Sequence, residues 1–223
     1  MVTAQTATTV AQGEHHGPVA IASLAIGPLI MAIGDLMHPQ ESADVARQAA
    51  IIVDHPDRWY VAHLLLLIGI VVLVPGLLVL TGEAAARWPR SGRVARVLVL
   101  SGTAGASAIF AVEMLAGRLG SADHAATTSL LHTLFSLPVA VPIFTIALGF
   151  FVGTAMVAIR MIRGVDSLRW PAVFLLIGIL LVVAEIVSSQ VLFSQMGNVL
   201  IWLGTLGFAW RLRRAGTPAV APD

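Results

Sequence analysis

Asp35 and His38 stand three residues apart, the spacing that puts two side chains on one face of a helix. Both fall at the end of an apolar run that begins at Pro18, where an ionisable group is costly and therefore informative. His63 lies four residues after Trp59, near the start of the second apolar run. Glu113 sits about one turn before the end of the third run and Glu185 about one turn before the end of the fifth, and His132 lies on the polar stretch that leads into the fourth. Five segments thus bring ionisable side chains to a similar depth at one end of their runs, and the other halves carry almost none.

Neutral imidazole and carboxylate are ligands for zinc, iron, manganese or copper. The chain has no cysteine, so they are its natural donor set. The expected metal ligands are His38, His63, His132 and Glu113. A metal with an open position for water generates hydroxide near neutral pH. Glu113, Asp35 and Glu185 are the candidate catalytic carboxylates, as a general base or as groups that orient the ligands. His63 and His38 are also the pair that would hold a cofactor such as haem. The plainer alternative is that each group snorkels to the headgroups from a helix end, or that together they form a hydrogen-bonded polar network.

The elements that must position these groups follow from composition. Of 223 residues, 57% are hydrophobic and 11% charged, with a mean hydropathy of +0.89; an ordinary soluble domain carries roughly 25% charged residues. So apolar a chain needs lipid around it. Six runs reach the roughly 20 residues that a span requires: 18–37, about 60–80, 94–117, 137–161, 170–189 and 192–210. The last two form a tight hairpin. The expected fold is all-α, a polytopic integral membrane bundle of about six transmembrane helices. Residues 1–17 and 213–223 are expected to be disordered cytoplasmic tails flanking a membrane domain over 18–212, with His15 and His16 belonging to the first tail. Zero cysteines exclude disulfides, thiolate metal sites and cysteine nucleophiles. All thirteen basic residues are arginines, which excludes lysine Schiff-base chemistry.

Arginine placement predicts orientation. Arg87, Arg90, Arg93 and Arg96, then Arg160, Arg163 and Arg169, then Arg211, Arg213 and Arg214 all fall at the same end of the spans. Only Arg47, Arg58 and Arg118 fall at the other. The first end is expected to be cytoplasmic, with both termini inside the plasma (inner) membrane and the histidines and carboxylates facing out. Two short amphipathic helices are expected on the outer face. One is capped by Ser42 or Asp44 and runs through Val53, burying Val45, Ala49 and Ile52, with Asp57 capping the second span. The other runs from Thr127 to Ser136, with Leu130, Leu131, Leu134 and Phe135 as its apolar face. Gly102 and Gly105 mark close helix packing in the third span. Gln190, Gln195 and Asn198, with Ser188 and Ser189, continue a polar stripe from Glu185.

Asp and His near one face resemble loosely the arrangement in seven-span metal hydrolases of the ceramidase and progestin-receptor kind, whose span count and His-x-x-x-His pair this chain lacks. No family is assigned on that basis. The functional expectation is a divalent metal site at the outer face of a membrane enzyme acting on a lipid-like or amphiphilic substrate. Bis-histidine haem binding, a proton- or cation-coupled transporter and a non-catalytic membrane partner are the alternatives. The lipid bilayer is the expected partner, and no nucleic acid is.

Overall fold

The computed structural model describes residues 17–188 and 190–215, the side chains of Val187 and Ala215 excepted. His15, His16, Ser189 and most of both expected tails lie outside the described residues. The described chain is helical, with no strand. Eight α-helices follow one another: α1 Pro18–Met37, α2 Val45–Asp54, α3 Pro56–Arg87, α4 Pro89–Gly120, α5 His124–Leu134, α6 Leu137–Gly164, α7 Arg169–Ser188 and α8 Val191–Ala215. A 3₁₀ turn, Asp166–Leu168, links α6 to α7. Among the described residues six helices are long and apolar enough to cross a membrane, and they are the six expected. The turn between the last two falls just before Val191, so Ser194 and Asn198 lie within α8.

The six long helices pack as a ring in the order α1, α3, α4, α6, α7, α8, and α8 closes back on α1. Leu24, Ile70, Leu73, Val99, Val157, Leu175 and Phe208 fill its centre. Val71, Val97 and Leu180 stand more than half exposed on its outer surface, as side chains solvated by lipid do. Close backbone approach sets the ring's spacing. A Cβ at Gly102 would stand 1.8 Å from the Phe150 nitrogen, so the small residues of α4 do seat α6.

The two ends of the ring are built differently. At the arginine end the turns are short: Trp88 alone separates α3 from α4. At the histidine end α2 and α5 lie over the bundle and pack on each other and on α4. Asp44 caps α2 through the Arg47 amide at 2.8 Å, as expected. Ala49 and Ile52 are fully buried with Trp59, Ala116 and Leu131 in a small second core. Only His55 separates α2 from α3, so Asp57 sits in the first turn of α3 rather than at its cap. The second short helix is shifted from its expected place. Asp123 accepts from the Ala126 amide at 3.0 Å and starts α5 at His124, three residues early. Its buried face is therefore Thr127, Leu131 and Leu134, and Phe135 is exposed.

Candidate functional site

His38 follows α1 and precedes a proline, which disfavours helical backbone and turns the residue extended (φ −65°, ψ 131°). That turn directs the ring back into the bundle, where His38 is buried. Trp59 and His63 are one turn apart on the buried face of α3. A Cβ at Gly34 would stand 2.9 Å from both the Ala62 oxygen and the Leu65 Cβ, so a glycine is what lets α1 close on α3 at this level. The three rings form a triangle with centroids 4.5 Å (His38–Trp59), 4.7 Å (His38–His63) and 4.8 Å (Trp59–His63) apart.

The histidine hydrogen bonds determine where the protons lie. His38 Nδ1 is 2.7 Å from the Pro39 carbonyl and His63 Nδ1 is 3.0 Å from the Trp59 carbonyl. A carbonyl only accepts, so each Nδ1 donates, and a neutral imidazole then has a bare lone pair at Nε2. The two Nε2 atoms face each other 3.3 Å apart. Two bare lone pairs at that separation repel each other, and a shared proton or a metal ion between them would relieve the repulsion.

The carboxylates deepen the same demand. Asp35 is buried, with Ser194 and Asn198 of α8 beside its carboxyl, and its Oδ2 has no hydrogen-bond partner among the described residues. Glu113 is buried on α4, its carbonyl takes the Trp59 indole at 3.1 Å, and its Oε2 is likewise unpartnered. Glu185 is half-buried on α7 and interacts electrostatically with Asp35 and Glu41. The α1–α2 loop supplies a residue that the apolar runs did not reveal. Glu41 Oε1 stands 3.6 Å from His38 Nε2, and Glu41 feels the charges of Asp35, Glu113 and Glu185. The signal was in the sequence, since Glu41 is three residues from His38, as His38 is from Asp35.

Glu41 also opens the site. Its side chain is 44% accessible. That surface lies in a cleft of about 270 Å³ lined by Pro39, Gln40, Glu41, Arg47, Asp54 and Arg58 among others. Protein atoms crowd it even so, and burial, with the charge of Asp35 beside it, pushes its carboxyl up to about 7. His38 moves the other way: burial lowers its pKa from the usual imidazole value. Two of the three arginines of this end have other partners. Arg58 donates to the Met37 carbonyl, and Arg118 lies 3.6 Å from Asp57 and 3.8 Å over the Tyr60 ring. Among the described residues no arginine forms an ion pair with any of the four carboxylates.

His132 is not part of the cluster. It is exposed on α5, because the buried face of that helix runs through Leu131 and Leu134 on either side of it. His55 lines the outer cleft, and His124 is exposed. Among the described residues no group of three or more His, Asp or Glu side chains is drawn close enough to surround one metal ion. The assembled part is the His38–His63 pair with Glu41 beside it. No family profile, curated protein or solved structure matches the chain.

Proposed function

We propose that this membrane protein binds a divalent metal ion of the zinc class between His38 and His63, and uses it on an amphiphilic substrate at the membrane surface. The observation that carries the reading is the pair of bare Nε2 atoms 3.3 Å apart, each ring held through Nδ1 by a backbone carbonyl. Two nitrogens at about 2.0–2.1 Å from a tetrahedral ion stand about 3.3–3.4 Å from each other. Metal-bound histidines typically donate their other nitrogen to a carbonyl or carboxylate in this way. Glu41 Oε1, 3.6 Å from His38 Nε2, is the nearest carboxylate and the natural third ligand after a small side-chain movement. The unpartnered Oε2 of Glu113 suits it as a fourth ligand or as the base that takes a proton from bound water. Asp35 and Glu185 supply further negative charge. His132 drops out of the ligand set, and the pair with Glu41 and Glu113 replaces it.

Haem is the less favoured cofactor. Its axial ligands sit on opposite faces of a broad macrocycle. Two Nε2 atoms 3.3 Å apart with the Trp59 ring against both leave no slot for one.

Depth supports an amphiphilic substrate. At about 1.5 Å per residue, the 32 residues of α3 exceed a hydrocarbon core of about 30 Å. A centred α3 leaves about 9 Å outside at each end, which puts His63 near the hydrocarbon boundary. The arginine excess at the opposite end supports a cytoplasmic placement of that end and of both termini. Metal analysis of the purified protein, with cobalt(II) titration followed by absorption, tests the reading. One ion per chain is expected, lost in His63→Ala and kept in His132→Ala and His124→Ala. No stoichiometric ion at neutral pH, before or after titration, leaves a proton shared between the two imidazoles as the cation instead.

A further inference from the structure

A second cleft lies at the opposite end from the histidines. It is a shallow cleft of about 500 Å³ lined by Arg87, Trp88, Pro89, Arg90, Ser91, Arg93 and Arg160. Four of these seven residues are arginines and none is acidic. Glu83 offsets part of Arg87, at 3.7 Å, from outside the lining. All four arginines are exposed, so an anion can reach them from solvent.

A general preference for arginine in cytoplasmic loops explains their sign but not their convergence. Arg163, Arg169, Arg211 and Arg214 share this end and stay outside the lining. Convergence comes from the frame. A Cβ at Gly92 would stand 2.3 Å from the Ala85 backbone, which clamps the α3–α4 turn shut. A Cβ at Gly164 would stand 2.4 Å from the Trp88 ring, so the indole of that turn is wedged against the end of α6. Three arginines therefore hang from one rigid hairpin and Arg160 faces them from α6. The Arg93 Nε is tied to the Pro89 carbonyl at 3.0 Å, which fixes that side chain and leaves its terminal nitrogens free to donate.

We infer that this cleft binds a phosphate-bearing anion, independently of any metal at the other end. Guanidinium forks match phosphate oxygens two at a time. The volume is in the range of ordinary small-ligand sites, roughly 300–1,000 Å³. Trp88 and the ends of three spans put the cleft at headgroup level, where basic pockets between helices take anionic lipid phosphates.

Native mass spectrometry of the detergent-purified protein, supplied in turn with phosphatidylglycerol and phosphatidylcholine, tests this. The wild-type chain is expected to retain phosphatidylglycerol over phosphatidylcholine. Arg90→Gln with Arg160→Gln should lower that retention roughly 25-fold, at about fivefold per arginine. Arg163→Gln with Arg211→Gln removes the same charge from outside the cleft and should retain the lipid like wild type. Inorganic phosphate is added as a competitor. Displacement by it assigns the site to the phosphate group alone, and retention against it assigns the site to a lipid headgroup with its chains; each result supports the site. Equal retention by wild type and the Arg90/Arg160 variant, or an equal loss in the Arg163/Arg211 control, overturns it.

Discussion

One end of this bundle collects groups that want a cation, and the other collects groups that want an anion. At the histidine end the two imidazole Nε2 atoms meet and four carboxylates lie near enough to feel one another's charge, while Arg58 donates to a backbone carbonyl and Arg118 pairs with Asp57. At the arginine end the charges are exposed, the turns are short and no extra helix covers them. Exposed like charges cost little because water screens them. Buried ones must be neutralised by a proton, a partner or an ion. A surplus of charge therefore reads as orientation where it is exposed and as candidate chemistry where it is buried.

The comparison breaks most sharply on sidedness. With no native cysteine, Ser42→Cys and Ser91→Cys report one end each. An impermeant thiol reagent on intact cells should label position 42 and spare position 91; the reverse pattern would invert the assignment. Next in size is the ion itself. His63→Ala should weaken metal binding by more than about 100-fold, beyond what loss of an orienting group costs, by cobalt titration. Full-strength binding by that variant would remove the histidine end's claim to chemistry.

Packing comes next. Gly34→Ala puts a methyl 2.9 Å from the Ala62 oxygen. It should cost about 1–3 kcal/mol in thermal or denaturant stability and separate His38 from His63. An unchanged protein would mean that α1 and α3 are less tightly coupled than described. The smallest effect is the pH profile. Glu41 is pushed up to about 7 by burial and by Asp35, so protons compete for it below that pH. Metal affinity should fall about tenfold per pH unit below about 7, and Glu41→Gln, already weakened about tenfold, should be flatter over that window. In the metal-free protein the two groups act with opposite sign. Glu41, with a raised pKa, contributes stability at low pH that is lost as pH rises through about 7; His38, with a lowered one, contributes stability above about 6.5 that is lost as pH falls. A pH-independent Kd in wild type would exclude Glu41 as a ligand.

Much of this was legible in the chain. The six spans are long apolar runs, and the cap of α2 is announced by Asp44 three residues before the amide it binds. Asp35, His38, His63 and Glu113 stood out because charge inside an apolar run is rare. Glu41 did not, because in a loop beside Pro39 a glutamate looks solvated; only the extended turn at His38 reveals that the loop folds back. His132 misled for a related reason. On the polar face of an outer helix it could reach the site only if that face turned to the bundle, and the face α5 buries is Thr127, Leu131 and Leu134.

Trp59 gives the site an optical readout of its own. Its indole lies 4.5 Å and 4.8 Å from the two imidazole rings, whereas Trp88, Trp170 and Trp210 belong to the far end of the spans. A chain keeping Trp59 as its sole tryptophan would carry a fluorophore in contact with both histidines of the proposed cation site. Cobalt or copper seated there would quench its emission, and zinc would shift it without quenching. An ion bound between the two histidines would then be identified by the protein's own emission, in detergent or in a vesicle, without any added label.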